Sequence, residues 1–245
     1  MLNFSKFLDF FFTEECIGCG KSGAMICEEC KIEIINEEKI NKLNVENTKS
    51  IDWVNSPLLY KNEILKKAIF QLKYHYVKRT GKYLAQLVYK DFLYFVKEIL
   101  EKNNQNIQNL LIVPIPISKK RLIERNYNQS EVLIKEIMEF NMVGVAGGHP
   151  HHNPQILKKN ISTDLLLKQK HTIKFAHTHS ALDRENLIKE AFTINDKYKK
   201  DFLQNKIMIL FDDITTTGAT FYEARKTLIN SGAKKENIFA FAVAH

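Results

Sequence analysis

Apolar and polar positions divide this chain into segments of two kinds. Short unbroken apolar runs occupy 110–113, 207–211 and 238–244. Runs of this length, with no polar position reserved for solvent, suit strands buried on both faces of a parallel sheet. Elsewhere the apolar residues recur at helical spacing. Ile64, Leu65, Ala68, Ile69 and Leu72 predict a helix within 61–74. Leu84, Leu87, Val88, Phe92, Phe95, Val96 and Leu100 predict a longer one over 79–103. Further helices are expected over 131–140, with Ser130 as N-cap, and over 221–229, with Gly232 where a C-terminal glycine would stand. The polar stretch 36–50 reads as a short helix and linker, 103–109 as a loop, and 164–170 as another strand. Segment 207–244 is then strand, loop, helix, strand, an α/β unit.

The loop in that unit carries chemistry. The run ending at Phe211 is followed by Asp212 and Asp213, then by Ile214, Thr215, Thr216, Thr217, Gly218, Ala219 and Thr220. Ligands of open α/β sheets bind at the carboxyl ends of strands. This loop lies at such an end and precedes a helix N-terminus, where free N–H groups and the helix dipole favour a phosphate. Two adjacent carboxylates at the end of a buried strand repel each other and lose hydration. They make sense facing a polar ligand, with carboxylates for sugar hydroxyls and the Thr–Gly loop for a phosphate. An acidic capping turn with Thr as N-cap is the structural alternative.

A second cationic stretch follows the run at 110–113. Pro114 and Pro116 stop a strand ladder, and Lys119, Lys120, Arg121 and Arg125 come next. As a loop at a strand's carboxyl end it suits pyrophosphate, since Arg binds phosphate oxygens bidentately and Lys acts as a point charge. Taken alone, it equally fits a solvated basic turn.

The four cysteines are confined to 16–30, as Cys16-x2-Cys19 and Cys27-x2-Cys30. Two such pairs can bring four thiolates to one tetrahedral Zn²⁺, with Gly18, Gly20 and Gly23 supplying tight turns. Four thiolates leave the metal no open position, so its role would be structural. Two disulfides, a redox pair and iron–sulfur ligation are the alternatives.

Composition narrows the picture modestly. The chain has 245 residues, 44% hydrophobic and 26% charged, enough core for one large domain plus an accessory module. A net charge of +8 suits polyanions without choosing among them. No apolar run approaches the roughly 20 residues of a membrane span. The aromatic stretch 1–12 lacks a cleavage site and reads as packing on the body of the protein, with a weak membrane contact as the alternative. Segment 143–153 holds three histidines within four residues, His149, His151 and His152, but its glycines and Pro150 favour a loop over a metal site.

The hydrophobic strand, acidic pair and Thr-Thr-Gly-Ala-Thr of 207–220 resemble the phosphoribosyl pyrophosphate (PRPP) motif of type I phosphoribosyltransferases. That resemblance implies that Asp212 and Asp213 bind the ribose hydroxyls. It also implies that Thr215, Thr216, Thr217, Gly218, Ala219 and Thr220 cradle the 5′-phosphate. Over nearly the whole chain the features resemble the ComF family of competence-associated proteins, which join a four-cysteine module to a phosphoribosyltransferase domain. The matching residues are Cys16, Cys19, Cys27 and Cys30; Tyr60 with Leu72-Lys73-Tyr74; 113–116; Lys120-Arg121, Arg125 and Asn128-Gln129; Arg184 with Ala191-Phe192; and 209–220. The chain departs at Asn126, where the family usually has Gly, and at 172–175, which lacks the usual Gln.

The resemblance implies a zinc module over 1–50 and a phosphoribosyltransferase-type α/β domain over 51–245, its mostly parallel sheet flanked by helices. It implies structural Zn²⁺ and PRPP with Mg²⁺, the latter held by Lys119, Lys120, Arg121, Arg125 and the 212–220 loop. A flexible loop over 172–184 is expected, with Lys174, His177, His179 and Arg184 as contacts; Asp212, Asp213 and Arg184 form the catalytic set. The implied role is support of DNA uptake in natural transformation, in the cytoplasm or at the inner membrane, with single-stranded DNA and an uptake helicase or channel as partners. A phosphoribosyltransferase of base metabolism with no DNA role is the alternative.

Overall fold

The computed structural model describes residues 14–44, 53–74, 77–143, 156–169 and 191–245. The aromatic stretch 1–12, the histidine insert beyond Val143, and the 172–184 loop with Lys174, His177, His179 and Arg184 lie outside these residues.

The three apolar runs form strands β2 (Leu110–Pro114), β5 (Ile207–Ile214) and β6 (Ile238–Ala244). With the two-residue strand β1 (Val54–Asn55) they make one parallel sheet in the order β1-β6-β5-β2. A second, antiparallel pair joins β3 (Leu166–Lys168) to β4 (Phe192–Ile194). The α/β class expected from the sequence, a parallel sheet flanked by helices, is the one observed, and it is consistent with a phosphoribosyltransferase-like fold.

Strand alternation builds two cores. Ile207, Ile209 and Phe211 pack on one face with helices α2 (Glu63–Tyr74), α3 (Val77–Lys102) and α5 (Gln129–Val143). Met208 and Leu210 pack on the other with Leu203 of helix α6 (Lys200–Gln204) and with Phe221, Ala224 and Leu228 of helix α7 (Ala219–Asn230). Phe92 of α3 meets Phe211 and Phe241 edge-on, at 5.6 and 5.1 Å between ring centroids, a favoured aromatic geometry. The sheet's two outer strands offer little free backbone. β1 is two residues long, and the outer side of β2 is bridged at Ile112 by Ile161, with Ser162 N–H donating to Ile112 O at 2.9 Å.

Several expected boundaries move for physical reasons. The helix near 36–50 is α1 (Glu28–Asn44), which begins inside the second cysteine pair. The helix at 131–140 starts earlier, so Ser130 is not its N-cap. Asn128 caps it instead, its Oδ1 accepting from Ser130 N–H at 3.2 Å while its Nδ2 donates to Ile115 O at 2.9 Å. The cationic stretch is a helix, α4 (Lys119–Arg125), not a loop. Ser118 caps it by accepting from Arg121 N–H at 3.3 Å, and Asn126 ends it at φ 62°. Asn tolerates this left-handed conformation better than most residues. That accounts for its standing where glycine is expected. The strand at 164–170 shortens to β3, and β5 runs on through Asp212 and Asp213.

Candidate functional site

Around the cysteines the chain folds back on itself. Cys16 N–H donates to Lys21 O, Gly20 N–H to Cys16 O, and Cys27 N–H to Cys16 Sγ at 3.4 Å. The four sulfurs all lie within 4.8 Å of one another, and Cys19 and Cys27 are 3.6 Å apart. Four ligands at about 2.3 Å from a tetrahedral zinc stand roughly 3.8 Å apart, so the cluster fits such an ion. No disulfide joins the four cysteines, so all four sulfurs are available to one ion.

Burial raises the Cys16 thiol, but N–H groups of Cys27, Cys19 and Gly18 outweigh it and lower it to about 6. Burial pushes Cys30 far up in the absence of a metal. A Cβ on Gly18 would stand 2.7 Å from Cys30 Sγ and 2.9 Å from Ile64 Cδ1, so the turn admits no side chain there. Cys16, Ile26, Cys30 and Ile34 share the core of α2 and α3. The cluster is thereby packed on the body of the protein, and Lys31 bonds Gln86 of α3 at 3.1 Å.

At the opposite, C-terminal part of the chain, the end of β5 gathers residues distant in sequence. Asp213 turns toward α2, and Asp212 reaches Ser130 at the start of α5. Asp213 is buried, and Lys73 at the end of α2 comes within 3.1 Å of its Oδ2. This is an ion pair without hydrogen-bond alignment, so Oδ2 makes no hydrogen bond. Asp212 has no such cation beside it among the described residues. Its Oδ1 accepts from Ser130 Oγ at 2.7 Å and from Asp213 N–H at 2.9 Å. Burial first, then the charge of Asp213, push the Asp212 carboxyl up to about 8.

After β5 the chain turns sharply. Thr215 N–H donates to Ala244 O at 2.9 Å, and Gly218 takes φ 72° immediately before α7. Gly218 thus occupies the N-cap position that the capping-turn alternative gives to a threonine, and it offers no side-chain cap. Among the described residues, the N–H groups of Thr216, Thr217 and Gly218 are unpaired. Thr216 and Thr217 are exposed. Free donors at a helix N-terminus below two carboxylates can hold a phosphate and a polyol together.

The cations of α4 are arranged unevenly. Lys119, Lys120 and Arg121 are exposed, and Lys120 makes a surface pair with Glu124 at 3.9 Å. Arg125 instead stacks over Tyr74, 5.1 Å from the ring centroid. Tyr127 donates its hydroxyl proton to Leu72 O, tying the turn after α4 to the end of α2. Leu72-Lys73-Tyr74 and Arg125–Asn128 therefore act as one joint beside the strand end.

Sequence reasoning missed Lys73 as a partner of Asp213, and Ser130 as a donor to Asp212. Lys73 fell within a stretch singled out by resemblance, but nothing local assigns it to a carboxylate 140 positions away. Among the described residues no helix is long and apolar enough to cross a membrane.

No family model matches the chain. The chain is similar to "Competence protein ComFC" of Bacillus subtilis (strain 168), 29% identical over 136 residues, which covers 56% of this chain and 45% of that protein. The match spans less than half the length of this curated relative. This likeness and the four-cysteine cluster agree with the ComF resemblance read from the sequence.

Proposed function

We propose that this protein binds PRPP with Mg²⁺ at the end of β5 and serves DNA uptake in natural transformation after single-stranded DNA has entered the cell. The observation that carries the ligand reading is the stacking of two functions at one strand end. Asp212 and Asp213 stand directly before a turn whose free N–H groups open onto the N-terminus of α7. A 5′-phosphate on that turn brings the ribose hydroxyls to the two carboxylates. Asp212 is a half-buried acid with no cation at ion-pair distance among the described residues, a poor arrangement for stability alone, and ligand hydroxyls would supply hydrogen bonds to its charged form.

In this reading a nucleophile displaces pyrophosphate at the anomeric carbon through an oxocarbenium-like transition state. Positioning and charge stabilisation then dominate over any general base. Asp212 and Asp213 orient the ribose, while Lys119, Lys120, Arg121 and Arg125 serve the pyrophosphate. Arg184, on the loop expected to close over the ligand, completes the set. No acceptor is assigned, so the reading commits to PRPP binding and leaves turnover to experiment. Titration calorimetry with PRPP and Mg²⁺ tests it. Wild type binds, and Asp213→Ala weakens binding at least about tenfold, or 1.4 kcal/mol. No binding by wild type, or equal binding by the variant, overturns the reading.

The competence role draws on the likeness to the Bacillus subtilis competence protein and on the net charge of +8. The protein would work in the cytoplasm or at the inner membrane, with the uptake helicase or channel and single-stranded DNA as partners. Binding to single-stranded DNA that weakens steeply with salt is expected; absent or salt-insensitive binding removes this part.

A further inference from the structure

The solvent face of α2 carries two aromatic residues that its packing does not use. The helix buries Ile64, Leu65, Ala68, Ile69 and Leu72 against the body of the protein. Phe70 and Tyr74 stand on the outer side, one turn apart, 56% and 57% exposed, with ring centroids 4.8 Å from each other. An aromatic pair at this spacing steadies a helix only slightly. Two adjacent rings kept largely in water point instead to a surface that meets a partner.

Cations flank the pair on both sides. Arg125 of α4 stacks over Tyr74, 5.1 Å from the ring centroid. Lys67, one turn before Phe70, is exposed, and its Nζ donates to Ile17 O at 3.5 Å. Lys66 is already paired with Glu63 at 2.7 Å. Among the described residues, neither Lys67 nor Arg125 has a carboxylate at ion-pair distance, so both charges are available to an anion. The two ends of α2 are anchored differently. Ile17 lies between the first two cysteines, and Lys73 reaches Asp213. The stripe Lys67, Phe70 and Tyr74 thus spans about 10 Å of helix, from the cysteine cluster to the joint beside the strand end.

We infer that this stripe is the platform on which single-stranded DNA lies, its bases stacked on Phe70 and Tyr74 and its phosphates beside Lys67 and Arg125. This rests on the DNA part of the proposed role and adds the place and the mode of contact. Aromatic faces with cations alongside fit unpaired bases joined by a charged backbone. An acidic peptide would use the cations and leave the rings idle. A duplex hides its base faces and would use only the charge.

Fluorescence anisotropy of the full chain with a labelled oligothymidine tests this. Phe70→Leu keeps an apolar, helix-favouring residue at an exposed position and should melt with wild type, yet weaken the strand by about tenfold. Phe70→Trp should retain binding, and the emission it adds to that of Trp53 should be quenched by the strand, as stacking requires. Lys67→Gln should lower the slope of log affinity against log salt by about 0.7. Calorimetry with PRPP and Mg²⁺ should give the same affinity for wild type and Phe70→Leu. Undiminished strand binding by Phe70→Leu, unquenched emission from Phe70→Trp, or equal wild-type affinity for a duplex of the same length overturns the inference while the DNA role stands. Leu122 and Ile123 of α4 are exposed as well, so phosphatidylglycerol vesicles serve as a control. Vesicle binding lost in Phe70→Leu with strand binding intact makes the face a lipid contact and overturns the inference. Wild type that binds no single strand overturns the DNA role, and this inference with it.

Discussion

The cysteine cluster and the end of β5 concentrate reactive groups by opposite means. The cluster draws its four donors from 15 consecutive positions and converges them with local turns. The strand end draws Lys73, Ser130 and the 212–220 turn from across nearly 150 positions, and only the completed sheet brings them near one another. In the first region the bound ion would hold the local fold together; in the second the fold holds the site. A fault in the first should therefore appear as lost stability, and a fault in the second as lost ligand binding.

The largest effect should come from breaking the local site. Cys30→Ser is expected to reduce zinc from about one ion per chain to none, measured by elemental analysis of purified protein. Structural zinc contributes roughly 10–16 kcal/mol in isolated fingers. Even a quarter of that would lower the melting temperature by about 10 °C in a chain of this size. Wild-type protein purified without zinc, or a variant that melts with wild type, would contradict the contrast.

At the strand end the corresponding test is pH. Asp212 is pushed up to about 8 in the folded state, above the 3.8 of a free carboxyl. The folded protein thus holds this proton more tightly than the unfolded chain. The stability that this provides is complete below about pH 4 and is lost as pH rises through 8. Melting curves of the ligand-free protein should fall between about pH 4 and 8, and should fall less for Asp212→Asn, which keeps an acceptor for Ser130. Each kcal/mol recovered is worth about 2–4 °C. The same substitution should weaken PRPP, so stability and binding move in opposite directions. Parallel slopes in the two proteins would show that Asp212 is not the group responsible.

The smallest effect belongs to the joint between the two helices beside the site. Asn126 sits at φ 62°, so Asn126→Val should cost about 1–2 kcal/mol, whereas Asn126→Gly should shift stability by only a few tenths. Thermal melts of the pair decide this; an equal loss in both would mean that the Asn side chain, not its backbone, matters.

How much could be read in advance follows from the same contrast. The strands at 207–211 and 238–244 were legible because two-sided burial leaves an uninterrupted apolar run. The α2 helix was legible because its buried residues recur at helical spacing. The cysteine cluster was legible because its information is local. Helix α4 was not, since it is seven residues long with no buried residue, and a short exposed helix leaves no apolar stripe. Ser130 was read as a cap from its neighbours alone; its bond to Asp212, 82 positions away, follows from packing α5 beside β5. The Lys73–Asp213 pair and the two-residue strand β1 were hidden for the same reason. Their partners are fixed by topology, and no local pattern marks them.

The outer strands of the parallel sheet have a consequence for how the protein behaves in a crowded solution. Exposed strand backbone is a template on which another chain can extend a sheet. Here one border is only Val54–Asn55, and the other is stitched by Ile161 and Ser162 along Ile112. The apolar sequence of the sheet's three ladders, among the most aggregation-prone material in the chain, is thereby presented without a long free border. Replacing Ser162 with proline would remove the N–H that closes β2 and open that border to sheet-to-sheet growth.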